Sequence, residues 1–319
     1  MNFNFHLKEI VMRYVTLNTG AQMPIIGLGT WKAESGEVYQ AIRWAVKLGY
    51  TSFDCATIYG NEAEIGQALH DAVKEGDIKR EQLFITSKLW NDSHKPEDVR
   101  LALKKTLNDL QLEYLDLYLI HWPIAQRKGS IMPEMPEDWL PLSEVPLETT
   151  WSEMEKAYDE GLIKAIGVSN FSRQKIENLI EKGNVIPAVN QVENHPLLQQ
   201  NALIDFCQKN GIAITAYSPL GSSHHEEGKG VLDNEVIKEL ARKLNVTAAQ
   251  VVLAWQMQRG IAVIPKSVHE NRLKENFAAQ AVVLDEADMS EIAKLDEGYR
   301  FINGELFQNP QAGYDDIWK

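Results

Sequence analysis

The chain has 319 residues, and its 45 acidic and 32 basic residues give a formal net charge of −13 at pH 7. This acidic excess disfavours nucleic acid or an anionic membrane surface as the main partner, because both attract Lys and Arg. The two cysteines, Cys55 and Cys207, form no C-x-x-C motif, so we predict reduced, core-packed thiols in a cytoplasmic protein and no disulfide framework.

Length alone allows two organisations, because about two domains are usual for such a chain but a (β/α) barrel of the same size is one domain. No apolar run approaches the ~18 residues of a membrane-spanning helix. The N-terminus lacks the pattern of a secretory signal. We interpret residues 1–12 as an N-terminal extension, expected to be disordered, because recognisable patterning begins only after them.

The first predicted element is a hairpin over residues 13–24. Apolar and polar residues alternate on either side of Asn18-Thr19-Gly20, a sequence typical of a turn. We expect the hairpin to cap another part of the fold.

A first barrel strand is predicted over residues 25–29 and ends in the sequence G-L-G-T-W-K. This is not a dinucleotide-binding fingerprint, because Lys32 occupies the position of the third glycine or alanine. We interpret the two glycines as allowing the backbone to approach a ligand closely.

From this point strand patterns alternate with helix patterns along the whole chain. Gly49 marks a helix end, Ser172 an N-cap, and Thr247 with Gln250 a capping box. Eight strands in about 250 residues, each followed by a helix, predict a closed (β/α)8 TIM barrel as one domain over residues 13–319. The predicted strands cover residues 25–29, 51–54, 83–88, 115–121, 163–169, 188–191, 212–217 and 262–266.

Polar side chains end nearly all of these strands. In a parallel barrel they converge on the rim where barrel enzymes keep their chemistry. Strand ends also become polar because they meet water, and that explanation stays open for Ser169 and Gln191. It is weaker for a Lys, a His and an Asp after apolar runs such as Y-L-D-L-Y-L-I-H, because a buried charge is costly unless it is paired. The strand-end residues are Asp54, Lys88, His121, Ser169, Gln191, Tyr217 and Lys266.

Asp54, Tyr59, Lys88 and His121 together predict a catalytic site. A tyrosine with a pKa near ~10 is a poor acid, but an ammonium at about 4 Å offers roughly 4 kcal/mol, enough to lower that pKa by about two units. Tyr59 would donate the proton, Asp54 would hold Lys88, and His121 would orient a bound carbonyl oxygen. Reduction of that carbonyl requires a hydride-carrying cofactor, because side chains do not donate hydride.

Lys266 and Arg272 form a basic spot across a predicted strand end and helix start, where Ser267 and backbone N–H groups are placed to hold a phosphate. An ordinary solvated loop explains these residues equally well. The run His224-His225-Glu226-Glu227 carries metal-ligating side chains, but we interpret it as a rim loop and predict no metal.

Several motifs resemble those of the aldo-keto reductases, in the same order along roughly residues 13–300. They are G-L-G-T-W, F-D-C-A-T-I-Y-G-N-E, I-T-S-K-L-W, L-I-H-W-P, I-G-V-S-N-F, N-Q-V-E-N-H-P, A-Y-S-P-L and I-P-K-S with the later R-L-K-E-N. The resemblance implies a (β/α)8 barrel that binds NADPH extended across its rim, without a Rossmann unit. It also implies Tyr59 as general acid, with Asp54, Lys88 and His121 completing a catalytic tetrad.

The same resemblance implies which residues bind NADPH. They are Ser169, Asn170 and Gln191 at the nicotinamide carboxamide, Tyr217 on the nicotinamide ring, Ser218 and Leu220 at the pyrophosphate, Lys266, Ser267 and Arg272 at the 2′-phosphate, Glu275 and Asn276 at the adenine, and Gly29, Thr30, Trp31 and Val268 as further cofactor contacts.

Trp31, Trp90 and Trp122 match positions that line the family's substrate pocket beside Tyr59 and His121, although each is equally well explained as a core aromatic. His121, where relatives that reduce steroid double bonds carry Glu, favours aldehydes or ketones.

Two segments are expected to set substrate choice, the long loop after Trp122 and the tail over residues 300–319. In the tail, Phe301, Phe307 and Tyr314 are candidate pocket residues.

We therefore predict a monomeric, cytoplasmic, NADPH-dependent carbonyl reductase that acts on a small-molecule substrate without nucleic acid or membrane partners. An alternative is a cofactor-sensing regulatory or binding subunit with the same fold and little catalytic role, against which the sequence offers only the intact tetrad. A cofactor-free barrel lyase or isomerase is a third hypothesis, which binding of NADPH would exclude.

Overall fold

The structure, a computed structural model, describes residues 11–222, 226 and 228–319. Most of the predicted N-terminal extension, and His224, His225 and Glu227 of the histidine-containing run, lie outside the described residues.

The predicted hairpin is present as β1 (Tyr14–Thr16) and β2 (Gln22–Pro24), paired antiparallel. Leu17 and Met23 pack in one cluster with Phe84 and Val189, which begin two barrel strands. The hairpin therefore caps the amino-terminal end of the barrel and leaves the opposite rim open.

Eight parallel strands form one sheet in which each strand pairs with its neighbours in chain order. Bridges from Ile26 to Val263 and from Gly29 to Lys266 join the first strand to the last, so the predicted (β/α)8 barrel is confirmed. The strands are β3 (Leu28–Gly29), β4 (Ser52–Asp54), β5 (Phe84–Leu89), β6 (Leu117–Ile120), β7 (Ile166–Ser169), β8 (Val189–Glu193), β9 (Ala213–Tyr217) and β10 (Ala262–Val263).

Helices surround the barrel, and the predicted N-cap residues form the expected capping hydrogen bonds. The Ser172 hydroxyl accepts from the backbone N–H of Lys175, and Thr247 and Gln250 cap each other reciprocally. Within the described residues the helices are α1 (Glu37–Leu48), α2 (Glu62–Lys74), α3 (Pro96–Asp109), α4 (Leu147–Asp159), α5 (Arg173–Lys182), α6 (Asn201–Lys209), α7 (Glu235–Leu244), α8 (Ala248–Gln258), α9 (Glu270–Ala278) and α10 (Glu286–Ala293).

The glycines of the G-L-G motif allow neighbouring segments of the barrel to pack closely, while the expected approach to a ligand stays a prediction. A Cβ at Gly27 would lie 2.8 Å from the Ser52 hydroxyl, and a Cβ at Gly29 would lie 2.6 Å from the Ile264 carbonyl oxygen. These atoms belong to the neighbouring strand β4 and to the segment just after β10. The close approach that requires glycine is therefore between segments of the barrel, at the position where the sheet closes.

Candidate active site

The four predicted tetrad residues meet at the carboxyl-terminal rim. Asp54 is the last residue of β4, Lys88 lies within β5, and His121 directly follows β6. Tyr59 ends the 3-10 turn Thr57–Tyr59, which connects β4 to α2. Parallel strands bring these side chains together although up to 67 positions separate them in sequence, from Asp54 to His121.

Lys88 is the centre of the site. Its side chain is fully buried, its ammonium forms an ion pair with the Asp54 carboxylate, and it also donates to the Cys55 carbonyl at 2.9 Å and to the Tyr59 hydroxyl at 3.4 Å. The second carboxylate oxygen of Asp54 accepts from the Gln191 amide at 2.7 Å. A buried ion pair persists only when its remaining hydrogen bonds are satisfied, and here both charged groups have such partners.

For both Lys88 and Tyr59, burial shifts the pKa in one direction and neighbouring charge shifts it in the other. Burial lowers the pKa of Lys88, but Asp54 and Tyr59 raise it by more, so the ammonium stays charged. The side chain of Tyr59 is half-buried, and burial raises its pKa to about 12 while Lys88 lowers it. The predicted lowering of the Tyr59 pKa is therefore wrong for the chain alone, because desolvation of the phenolate outweighs the attraction of the ammonium.

His121 is neutral in this site, because burial and the nearby positive charge of Lys88 hold its pKa well below the usual range. Its ring lies edge-on to Tyr59, with 5.8 Å between ring centroids, and edge-on to Trp90 at 5.1 Å. A neutral imidazole beside the phenol is suited to hydrogen bonding with a carbonyl oxygen.

The residues predicted around the nicotinamide form one hydrogen-bonded group. Asn170 donates to the His121 carbonyl at 3.0 Å, and its side-chain oxygen accepts from the Tyr217 hydroxyl at 2.8 Å. The Ser169 hydroxyl donates to the Gln191 carbonyl at 2.8 Å. These side chains adjoin the tetrad through Gln191 and are held in place before any ligand binds.

The predicted phosphate site lies at the amino terminus of α9. Lys266 and Arg272 are exposed, and neither has an ion-pair partner in the part of the chain that the structure describes. Ser267 is buried and accepts from the backbone N–H of His269 at 3.1 Å. Two unpaired cations beside a helix N-terminus suit an anionic phosphate.

The other predicted cofactor residues, apart from Trp31, are buried or half-buried. Glu275 is half-buried and Asn276 is buried, both within α9. Gly29 and Thr30 are buried, and the Thr30 hydroxyl donates to the Asp54 carbonyl at 2.8 Å. The remaining three, all half-buried, are Ser218, Leu220 and Val268.

Aromatic side chains form the mouth of the site. Trp31 is 42% exposed, and its ring centroid lies 6.5 Å from that of Tyr59. Trp90 and Trp122 are buried and both contact Phe307 of the tail, at 6.1 Å and 4.8 Å between ring centroids. The tail therefore completes a wall of indole and phenyl rings.

The predicted tail residues divide into two groups. Phe307 and Tyr314 are buried in the hydrophobic cluster that contains Trp90 and Trp122, and their role in a substrate pocket stays a prediction. Phe301 instead contacts His195, with 4.8 Å between the centroids of the two tilted rings, and packs against a different hydrophobic cluster.

Two residues that hold the tail are absent from the sequence prediction. The Glu193 carboxylate is buried and accepts from the backbone N–H groups of Phe301 and Ile302, at 2.7 Å and 2.9 Å. Trp318 contacts Trp122 at 5.8 Å between ring centroids and lies under the Arg300 guanidinium at 3.7 Å. The sequence feature that could have identified Glu193 is an acidic residue two positions after the predicted end of a buried strand.

Two cavities lie away from the tetrad. One of about 760 Å³ lies between α4, α5 and the tail, and one of about 270 Å³ lies beside Arg300 and Trp318. Within the described ranges, no group of His, Cys, Asp and Glu is arranged to hold a metal ion. None of the helices in those ranges has the length and apolar character needed to cross a membrane.

The fold and the site define a class: a (β/α)8 barrel whose carboxyl-terminal rim holds a buried Lys–Asp pair against a tyrosine and a neutral histidine. A family model described as the aldo/keto reductase family matches residues 25–297. The chain therefore belongs to the aldo/keto reductase family, whose members are oxidoreductases that reduce carbonyl groups and generally use NADP(H).

Individual relatives agree with this assignment. The chain is 46% identical to "Aldo/keto reductase slr0942" of Synechocystis over 315 residues, which cover 96% of each chain. It is 46% identical to "Aldo-keto reductase family 1 member A1" of Gallus gallus over 91% of this chain and 90% of the relative. The solved structure of the aldose reductase from Schistosoma japonicum superposes with a TM-score of 0.85 at 42% identity, over 91% of this chain and 94% of that one.

Proposed function

We propose that the protein is an NADPH-dependent reductase of aldehydes or ketones in which Tyr59 donates the proton. The observation that carries this proposal is that one buried ammonium, that of Lys88, pairs with the Asp54 carboxylate and lies 3.4 Å from the Tyr59 hydroxyl. An ammonium fixed in this way favours the phenolate that Tyr59 becomes when it gives up its proton.

The high pKa of Tyr59 is compatible with this role. At a pKa of about 12 the phenol keeps its proton throughout the neutral range, which is the state that a proton donor requires. A carbonyl oxygen that gains negative charge becomes an alkoxide, a stronger base than a phenolate. Attraction to the ammonium at 3.4 Å stabilises the Tyr59 phenolate by about 5 kcal/mol at an effective dielectric constant near 20. This value is an upper bound because the Asp54 carboxylate opposes the attraction.

The cofactor assignment is part of the proposal. When bound, NADPH supplies the hydride. Ser169, Asn170 and Gln191 would hold its carboxamide, Tyr217 would lie on its ring, and the other residues named above would contact the pyrophosphate and adenine. Lys266 and Arg272 would bind the 2′-phosphate, because both are exposed cations without an ion-pair partner among the described residues.

The mouth favours apolar carbonyl compounds. Trp31 lies beside Tyr59, and Trp90 and Trp122 contact Phe307. These rings would present aromatic surface to a substrate, and such surface binds flat or aliphatic groups. We further propose that the protein acts as a cytoplasmic monomer on small molecules.

The experiment is a panel of aromatic aldehydes, aliphatic aldehydes, ketones and sugars with NADPH, followed at the nicotinamide absorbance, with wild-type protein and Tyr59→Phe. We expect turnover of aromatic aldehydes by the wild type but not by Tyr59→Phe, with NADPH quenching of tryptophan fluorescence retained in Tyr59→Phe. Tyr39→Phe is the matched control, because it also removes one tyrosine hydroxyl. Tyr39 lies on α1, and its hydroxyl donates to the Asp71 carboxylate at 2.8 Å. Tight NADPH binding without turnover of any carbonyl would instead support a cofactor-sensing subunit.

A further inference from the structure

A cluster of unpaired polar side chains lies directly beyond the ends of β5 and β6. Asn91, His94 and Gln126 are each at least 99% buried. Neither polar side-chain atom of any of the three has a hydrogen-bond partner, and the Nδ1 atom of His121 is buried and unpaired as well. This concentration of unpaired groups adjoins the tetrad and is not used by the mechanism proposed above.

The cluster is connected to His121 from two sides. Trp90 precedes Asn91 and packs edge-on against the His121 ring at 5.1 Å between centroids. Gln126, five residues after His121, donates its backbone N–H to the Asn91 carbonyl at 2.8 Å. His94 lies three residues after Asn91 and directly follows the same short 3-10 turn. The cluster is therefore built from the loops that follow β5 and β6, the adjacent strands that also position Lys88 and His121.

Without further hydrogen-bond partners this arrangement of buried polar side chains is energetically unfavourable. A buried polar group without a partner costs about 1–3 kcal/mol, so three such side chains would consume a large part of the ~5–15 kcal/mol that stabilises a typical domain. Reversing the amides does not help, because both atoms of each amide are unpaired. Water supplies both donors and acceptors and is the usual occupant of buried polar sites.

We propose that Asn91, His94 and Gln126 hold ordered internal water that donates a hydrogen bond to Nδ1 of His121 and thereby keeps the imidazole proton on Nε2. A neutral imidazole has a single N–H. For His121 to donate that N–H to a carbonyl oxygen from Nε2, its Nδ1 atom must be an acceptor. The three residues are therefore positioning residues for His121, and the catalytic meaning of this assignment rests on the proposed carbonyl reduction.

The direct test is a high-resolution crystal structure of the wild-type protein, together with nitrogen NMR of protein labelled with 15N-histidine. We expect water within hydrogen-bond distance of Nδ1 of His121, and a His121 signal of the Nε2–H tautomer. A dry cluster, a direct hydrogen bond between the protein side chains and Nδ1, or a proton on Nδ1 would overturn the proposal. These measurements require no turnover, so they remain decisive if no carbonyl substrate is found.

Variants then separate positioning from general structure. His94→Leu removes both ring nitrogens from the cluster and should give a mixture of His121 tautomers. Loss of one hydrogen bond should lower kcat about five- to tenfold without changing KM or NADPH affinity. His94→Gln should restore most of this loss, because it keeps a donor and an acceptor.

The matched control is Thr150→Val, because the Thr150 hydroxyl donates to the His94 carbonyl at 2.7 Å. That change perturbs the same loop without removing a polar group from the cluster, and it should leave both the tautomer and kcat unchanged. A wild-type tautomer in His94→Leu, or equal loss of kcat in the Thr150→Val control, would contradict the assignment.

Discussion

Replacement of Lys88 by methionine tests the electrostatic basis of the site. Methionine keeps an unbranched apolar chain in a fully buried position but removes the charge 3.4 Å from the Tyr59 hydroxyl. At an effective dielectric constant near 20 this charge stabilises a phenolate by at most about 5 kcal/mol, which corresponds to at most about a four-thousandfold effect on kcat. We expect a loss of about a hundred- to a thousandfold in Lys88→Met, because Asp54 offsets part of the attraction.

The same change leaves Asp54 buried without its cation, which should lower the free energy of unfolding by about 3–5 kcal/mol. In the double variant with Asp54→Asn, the amide oxygen still accepts from Gln191 and no buried charge is left. Stability should largely return in that double variant, whereas turnover should not, since the ammonium is still missing.

Urea denaturation at pH 7 measures the stability, and reduction of an aromatic aldehyde at saturating NADPH measures kcat. Arg80→Met is a control, because it breaks the Arg80–Asp116 pair, 2.8 Å long, and should lower stability with little effect on kcat. Turnover of Lys88→Met within about threefold of the wild type would refute the reasoning. Recovery of turnover together with stability in the double variant would refute it as well.

Three further changes test other parts of the account. Lys266→Ala combined with Arg272→Ala should weaken NADPH far more than NADH in fluorescence titrations, and equal losses would mean that these cations do not read the 2′-phosphate. Burial raises the pKa of Glu62 to about 7, so the stability that its protonated form contributes is complete below about pH 4.5 and is lost as the pH rises through about 7. In urea denaturation Glu62→Gln should therefore exceed the wild type by less than about 1 kcal/mol at pH 5 and by up to about 3 kcal/mol at pH 8; parallel pH profiles would contradict this. Trp318→Ala should raise KM for an aromatic aldehyde about fivefold, the loss of one aromatic contact, with NADPH affinity unchanged as the internal check; an unchanged KM would remove the tail from the substrate wall.

The fold and the tetrad could be predicted from the sequence because two simple rules apply to the same residues. Alternation of strand and helix patterns implies parallel strands, and parallel strands bring their carboxyl ends together. Asp54, Lys88 and His121 each stand at or beside the end of an apolar run, so they were expected at one rim. The structure places them there, together with Tyr59, which was also predicted and lies on the turn that follows β4.

The properties that sequence could not predict depend on burial and on distant contacts. The pKa of Tyr59 is raised and not lowered as predicted, because desolvation depends on everything packed around the ring. Glu193 was missed because β8 extends two residues beyond the predicted end, and because its partners, Phe301 and Ile302, lie more than 100 positions away. Whether the polar atoms of Asn91 have partners likewise depends on the packing of the two rim loops.

The most direct measurement of the central claim is single-turnover reduction of an aromatic aldehyde by protein preloaded with NADPH, comparing wild type, Tyr59→Phe and Tyr39→Phe. We predict rapid loss of nicotinamide absorbance in the wild type and in Tyr39→Phe. In Tyr59→Phe we predict a rate reduced by at least about a hundredfold, the typical contribution of a positioned general acid. Equal rates in all three proteins would show that the Tyr59 hydroxyl does not supply the proton.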